Sequence, residues 1–197
     1  MSDLDETISE AVDHASESRL NSIIALLVAI AATFMAVCNV KDGNIVQAMA
    51  QAQANALDQW SYYQAKGMKL NLAESGLDQL TLQRMILTDQ KFAPIIDKKI
   101  LSYQAQVKKY EKEKADIKKQ AEGFQKEYDA LNVHDDQFDM CEACISVAIA
   151  LFGITALTRK KWLLGVASVF VFFGVLFGLA GFLGWSIHPD FLARMLS

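Results

Sequence analysis

The twenty-one residues Leu20–Val40 carry no charge, and no other feature constrains the fold of this chain as strongly. About 20 apolar residues cross a hydrocarbon core of about 30 Å, and a helix satisfies its own backbone polar groups there. Trp162–Ile187 is apolar and longer still. Ala143–Thr158 is short at sixteen residues; starting it at Met140 lengthens it and places Glu142 at headgroup level. Three membrane spans are therefore expected, over residues 20–40, 140–158 and 162–187.

The region between the first two spans has a different composition. Lys41–Asp139 holds fourteen Lys/Arg and fifteen Asp/Glu. Within it, positions alternately three and four apart read Ile100, Tyr103, Val107, Tyr110, Lys114, Ile117, Ala121, Phe124, Tyr128, Leu131. Only Lys114 interrupts the apolar run, and the spacing is that of a coiled-coil seam. A second row runs Ile45, Met49, Ala52, Ala56, Gln59, Tyr63, Lys66, Leu70, Ala73, Leu77, Leu80, Arg84, Leu87. Both ends of the region must return to one membrane face, so the chain must reverse, and Pro94 lies close to the midpoint. Proline breaks a helix and suits the first turn of the next. The expected fold is all-α: an antiparallel coiled-coil hairpin over residues 41–139, turning near 94, with arms of roughly 60–70 Å.

Gly67 and Gly76 weaken the ascending helix and are the expected bends. With the turn at Pro94, Lys114 falls near Leu72, within reach of Glu74. Opposite charges at (i, i+4), namely Lys109–Glu113, Lys112–Asp116, Lys118–Glu122 and Glu122–Lys126, support the descending helix weakly. Apolar residues off the main rows (Leu57, Trp60, Tyr62, Leu82, Met85, Ile86, Leu101) give the hairpin a second apolar face. That face predicts a homo-oligomer.

Charge supplies the orientation. Arg159, Lys160 and Lys161 fill the short turn between spans two and three, and short loops rich in Lys/Arg stay in the cytoplasm. The expected topology has the N-terminus inside and the stalk and the tail 188–197 outside. Arg19 agrees; Lys41 and Arg194 count weakly against it. The tail 1–19 carries six acidic residues and one Arg. Its acidity excludes a basic leader, so span one is expected to remain as an anchor. Leu4, Ile8, Val12 and Ala15 make the tail a short amphipathic helix. No basic patch suggests nucleic-acid binding. The expected partners are the lipid bilayer and further copies of the chain.

Small residues form two stripes in the spans. Ser22, Ala25, Ala29, Ala32 and Ala36 lie along span one; Gly174, Gly178 and Gly181 lie along span three. Such stripes allow close helix approach, either within one chain or between chains. Thr33, Ser146, Thr155 and Ser168 are the polar groups of the spans, and helix carbonyls are their ordinary partners.

Few residues suggest chemistry. Cys141 and Cys144 have CxxC spacing, and Cys38 ends span one at the same membrane face. The three thiols are redox candidates, or simply small membrane-edge residues; without a βαβ pattern the spacing does not read as a thioredoxin-like motif. His134, Asp135, Asp136 and Asp139 read as a polar linker or a weak cation site; His14 and His188 stand apart. No phosphate loop or nucleophile elbow occurs. No catalytic, cofactor-binding or metal-binding residue is expected.

The string Asp58-Gln59-Trp60-Ser61-Tyr62-Tyr63-Gln64-Ala65-Lys66 is the most distinctive in the chain. With the acidic tail, the first span and the closing hydrophobic pair, it resembles a bacterial membrane family catalogued as domain of unknown function 4337. The resemblance implies the layout and no reaction. Read physically, Trp60, Tyr62, Tyr63 and Lys66 are either stalk packing or an interaction site. The functional expectation is a non-enzymatic, homo-oligomeric scaffold or assembly protein of a bacterial plasma membrane. The alternative is a channel or transport-complex subunit with a helical insertion between spans one and two.

Overall fold

A computed structural model describes residues 2–185, with the side chains of residues 2–18 and 90 left aside. The amphipathic tail residues Leu4, Ile8, Val12 and Ala15, and also His14, His188, Arg194 and the tail 188–197, lie outside the described side chains or residues. The elements are α1 (Ser2–Ile86), a 3-10 turn (Gln90–Phe92), α2 (Ala93–Thr158) and α3 (Lys161–Leu183). The described residues are all-α. Three helices are long and apolar enough to cross a membrane. The chain divides into two compact units, one of residues 1–48 with 130–197 and one of residues 49–129.

In the first unit, Ile24, Ala148, Phe152 and Ala167 form a buried core, with Leu27, Leu151 and Leu164 packed around it. The glycines of α3 set how closely the helices approach. A Cβ at Gly174 would meet Ile145 Cγ1 at 2.6 Å, one at Gly178 would meet the Phe34 ring at 2.8 Å, and one at Gly181 would meet the Phe138 ring at 2.7 Å. Real Cβ atoms do not come that close, so these positions admit only glycine without rearrangement. The glycine stripe is thus spent on packing within the chain. Phe138 also meets Phe182 edge to face, with ring centroids 5.2 Å apart.

The alanine stripe behaves differently. Ala25, Ala29 and Ala36 are exposed and Ala32 is half-buried, while α1 covers Ile24, Ala31 and Cys38 instead. The turn carrying the positive charges is very short. α2 ends at Thr158 and α3 begins at Lys161. Arg159 holds φ at 61° and its N–H donates to Thr155 O at 2.8 Å. This left-handed residue costs about 1–2 kcal/mol outside glycine, and it ends α2 abruptly. Arg159, Lys160 and Lys161 are all exposed.

In the second unit, every position of both heptad rows between Met49 and Tyr128 is buried or half-buried. Lys66 forms an ion pair with Glu113, and Arg84 Nε donates to Asp97 Oδ1 at 2.8 Å. Neither glycine interrupts α1. Instead each stands opposite a side chain from α2: a Cβ at Gly76 would meet Tyr103 Cε1 at 2.5 Å, and one at Gly67 would lie 3.6 Å from Lys114 Nζ. Gly76 is therefore a seat for the facing ring, whereas Gly67 would take a Cβ at ordinary contact distance.

Lys114 also departs from expectation. Its ammonium lies over the Tyr63 ring, 4.9 Å from the centroid, rather than beside Leu72 and Glu74. The reason is where the helix stops. α1 ends at Ile86, well before Pro94, and Pro94 occupies the second position of α2, where its missing N–H costs nothing. Moving the break shifts every residue that faces Lys114. Of the four (i, i+4) pairs, Lys118–Glu122 closes to 3.6 Å and Lys109–Glu113 to 4.0 Å.

Candidate functional site

The most perturbed ionisable groups outside the spans lie in the first unit. Asp42, on α1 just past span one, lies beside Asp135 of α2, and the two carboxyls interact. Asp139 and Glu142 of α2 add negative charge nearby. Asp42 Oδ1 is buried without a hydrogen-bond partner. Burial first, and then the neighbouring carboxylates, push the Asp42 carboxyl up to about 6. Burial raises Asp135 and Asp139 as well. The arrangement fits a proton on Asp42 donated to Asp135. Two ionised carboxylates there would repel with little solvent to screen them.

Asp135, Asp136 and Asp139 stand out in the sequence as a cluster, whereas Asp42 stands alone there. The signal was available: spans one and two share a membrane face at these ends, so charges just beyond each are neighbours. His134 Nδ1 lies 3.1 Å from Gln137 Oε1. Gln137 is fully buried and its Nε2 donates to Trp185 O at 2.7 Å. Among the described residues no group of three His, Cys, Asp or Glu side chains is arranged to hold a metal ion.

The three cysteines do not act together. Cys38 and Cys141 are fully buried with their sulfurs 3.6 Å apart. Cys144 lies elsewhere, lining an apolar groove of about 390 Å³ with Met140, Ala143, Val147, Phe170, Phe173 and Phe177. The near pair is therefore between helices, not within the CxxC spacing.

The aromatic string of α1 splits in the same manner. Trp60 and Tyr63 pack edge to face, with centroids 5.4 Å apart. Tyr63 receives Lys114, and Lys66 lies over the Tyr110 ring at 5.3 Å while pairing with Glu113. That ammonium holds the Glu113 carboxyl below its usual range, chiefly through the hydrogen bond. Each cation thus sits on an aromatic face across the helix pair. Tyr62 points outward, exposed beside Asp58, Ser61 and Ala65 in a shallow groove. Of the four residues singled out in the sequence, Tyr62 alone remains open for a partner.

The hydroxyls of the spans are mostly spent locally. Thr33 donates to Ala29 O, Thr155 to Leu151 O and Ser168 to Leu164 O, all at 2.7–2.8 Å. Ser146 Oγ approaches Met35 Sδ at 3.7 Å. Bonds to a helix's own carbonyls leave little donor capacity for a permeating ion.

No curated protein and no solved structure matches the chain. A family model does, over residues 20–184, which takes in α2, α3, α1 from Leu20 onward, the carboxylate cluster, the cysteines and the aromatic string. The chain belongs to the family described as Domain of unknown function (DUF4337).

Proposed function

We propose that the protein is a non-enzymatic, homo-oligomeric membrane scaffold whose residues 41–139 form an antiparallel coiled-coil hairpin. Two lines support the hairpin. The heptad rows of α1 and α2 are covered throughout the second unit. The pairings Arg84–Asp97, Lys66–Glu113 and Lys114 on Tyr63 move outward from the break at residues 87–92 in opposite chain directions.

One observation carries the oligomer. Leu57, Met68, Leu72, Leu82 and Ile86 are all more than 60% exposed. At 100° per residue they fall within an arc of about 80°, on the side of α1 opposite the covered row. A long apolar stripe facing water is costly unless a partner covers it, and a two-helix unit has no further helix to do so. A second copy of the same hairpin supplies a stripe of matching length and character. The scaffold stands in a bacterial plasma membrane, with its N-terminus in the cytoplasm and the hairpin outside. The exposed Arg159 and Lys160 of the two-residue turn, with exposed Lys161 opening α3, support that orientation. Among the described residues, Thr33, Thr155 and Ser168 donate to carbonyls of their own helices, which weighs against the channel alternative.

Sedimentation of the detergent-solubilised protein tests the proposal. The expected result is a defined oligomer that dissociates when Leu57, Leu72 and Ile86 are changed together to Ser, with helix content unchanged. A wild-type protein that stays monomeric at every concentration contradicts it.

A further inference from the structure

We infer that Cys38 and Cys141 are a redox pair that closes to an intramolecular disulfide joining α1 to α2. Their sulfurs lie 3.6 Å apart and point at one another across 103 residues of sequence. A disulfide needs about 2.05 Å, so the sulfurs must approach by about 1.5 Å. α3 leaves room beside them: a Cβ at Gly178 would lie 3.0 Å from Cys141 Sγ, and glycine provides none. Cys144 is set apart in its apolar groove and takes no part. The facing pair thus lies between two helices and outside the CxxC spacing.

The chemistry balances with a two-electron acceptor. Two S–H bonds break and one S–S bond forms; two protons and two electrons pass to the acceptor. Neither thiol has any exposed surface. Any oxidant, water-borne or dissolved in the bilayer, therefore reaches them only when the helices part; a quinone in the bilayer is the two-electron acceptor held beside the spans, and it leaves as the quinol. Because the oxidant resides in the membrane, the reaction does not depend on which compartment this face adjoins. Burial makes both thiols slow toward charged, water-soluble reagents. The bond closes a loop of about 100 residues and thereby restricts the unfolded chain, so the oxidised protein is the more stable form.

The test uses the full-length protein in membranes. A short-chain ubiquinone analogue is added, the protein is then denatured, and free thiols are counted by the gel shift of a maleimide–polyethylene glycol. Untreated protein should show three thiols, and quinone-treated protein one, with dithiothreitol restoring three. Mass mapping of tryptic peptides should place the bond between Cys38 and Cys141 within one chain. Cys144→Ser should pass from two thiols to none; Cys38→Ser should keep two under both conditions. Oxidised wild type should unfold several degrees higher than reduced. Three free thiols after quinone, a bond that includes Cys144, or a bond between chains overturns the inference. The peptide map is made on the wild-type chain, so a poorly folding variant does not blunt the test.

Discussion

The glycine stripe of α3 and the alanine stripe of α1 look alike in sequence and do opposite things. Gly174, Gly178 and Gly181 are buried and face Ile145, Phe34 and Phe138. Ala25, Ala29 and Ala36 face outward. In lipid there is little hydrophobic gain from pairing helices, so packing goes where backbones approach most closely. Glycine permits the closer approach and wins the interior contact; alanine is left on the outside, where it suits a weaker or later association. Small-residue spacing alone therefore signals a helix contact but not which contact.

Substitutions on the two stripes sharpen this contrast. Gly178→Leu places a branched side chain against Phe34 and Cys141 and should destabilise the fold by about 3 kcal/mol or more. Ala29→Leu, on the open face, should change fold stability by less than about 0.5 kcal/mol while altering the oligomer distribution. Unfolding of the detergent-solubilised variants by heat reads both. Equal losses at the two sites would erase the distinction.

The second unit offers an intermediate case. Gly76→Ala gains helix propensity of about 1 kcal/mol but meets the Tyr103 ring, so a net loss of about 1–2 kcal/mol is expected. Adding Tyr103→Leu should turn that loss into a gain. If Gly76→Ala alone stabilises the protein, the glycine is not a seat for the ring.

Acidity probes the edge of the first unit. Asp42 is raised to about 6 in the folded protein, above the ordinary carboxylate value near 4. The folded state then holds its proton more tightly than the unfolded state, so stability is greatest at low pH and falls as pH rises from about 4 through 6. The group is partly solvated, so the expected loss is about 1–2 kcal/mol. Asp42→Asn should flatten the profile over that window, as measured by thermal unfolding against pH. A small effect also belongs to the second unit's surface: Asp97→Asn, which breaks the pair with Arg84, should cost under about 1 kcal/mol and less still at high salt.

Much of this was legible in the sequence because periodicity and uncharged length are robust signals. The three apolar segments and both heptad rows follow from them directly. What the sequence did not yield depends on the register between helices. Pro94 as pivot puts Lys114 near Leu72 and Glu74, yet the break falls a turn earlier and Lys114 meets Tyr63. Asp42 escaped notice because its partners lie more than ninety residues away in sequence. Cys38 was grouped with Cys141 and Cys144 by depth alone; only the geometry separates a facing pair from a third thiol in a groove. The roles of Gly67 and Gly76 were missed for the same reason, since a glycine reads as a weak helix point until the opposing side chain is known.

The account rests on α1 using one face for its own fold and leaving the other for a second copy. The most direct measurement is cross-linking in membranes of Ala29→Cys and Ala31→Cys, each in a background with Cys38, Cys141 and Cys144 changed to Ser. Ala29 is exposed and Ala31 is buried only two residues away. The account predicts covalent dimers from Ala29→Cys and none from Ala31→Cys. Dimers from Ala31→Cys, or from neither variant, would contradict it.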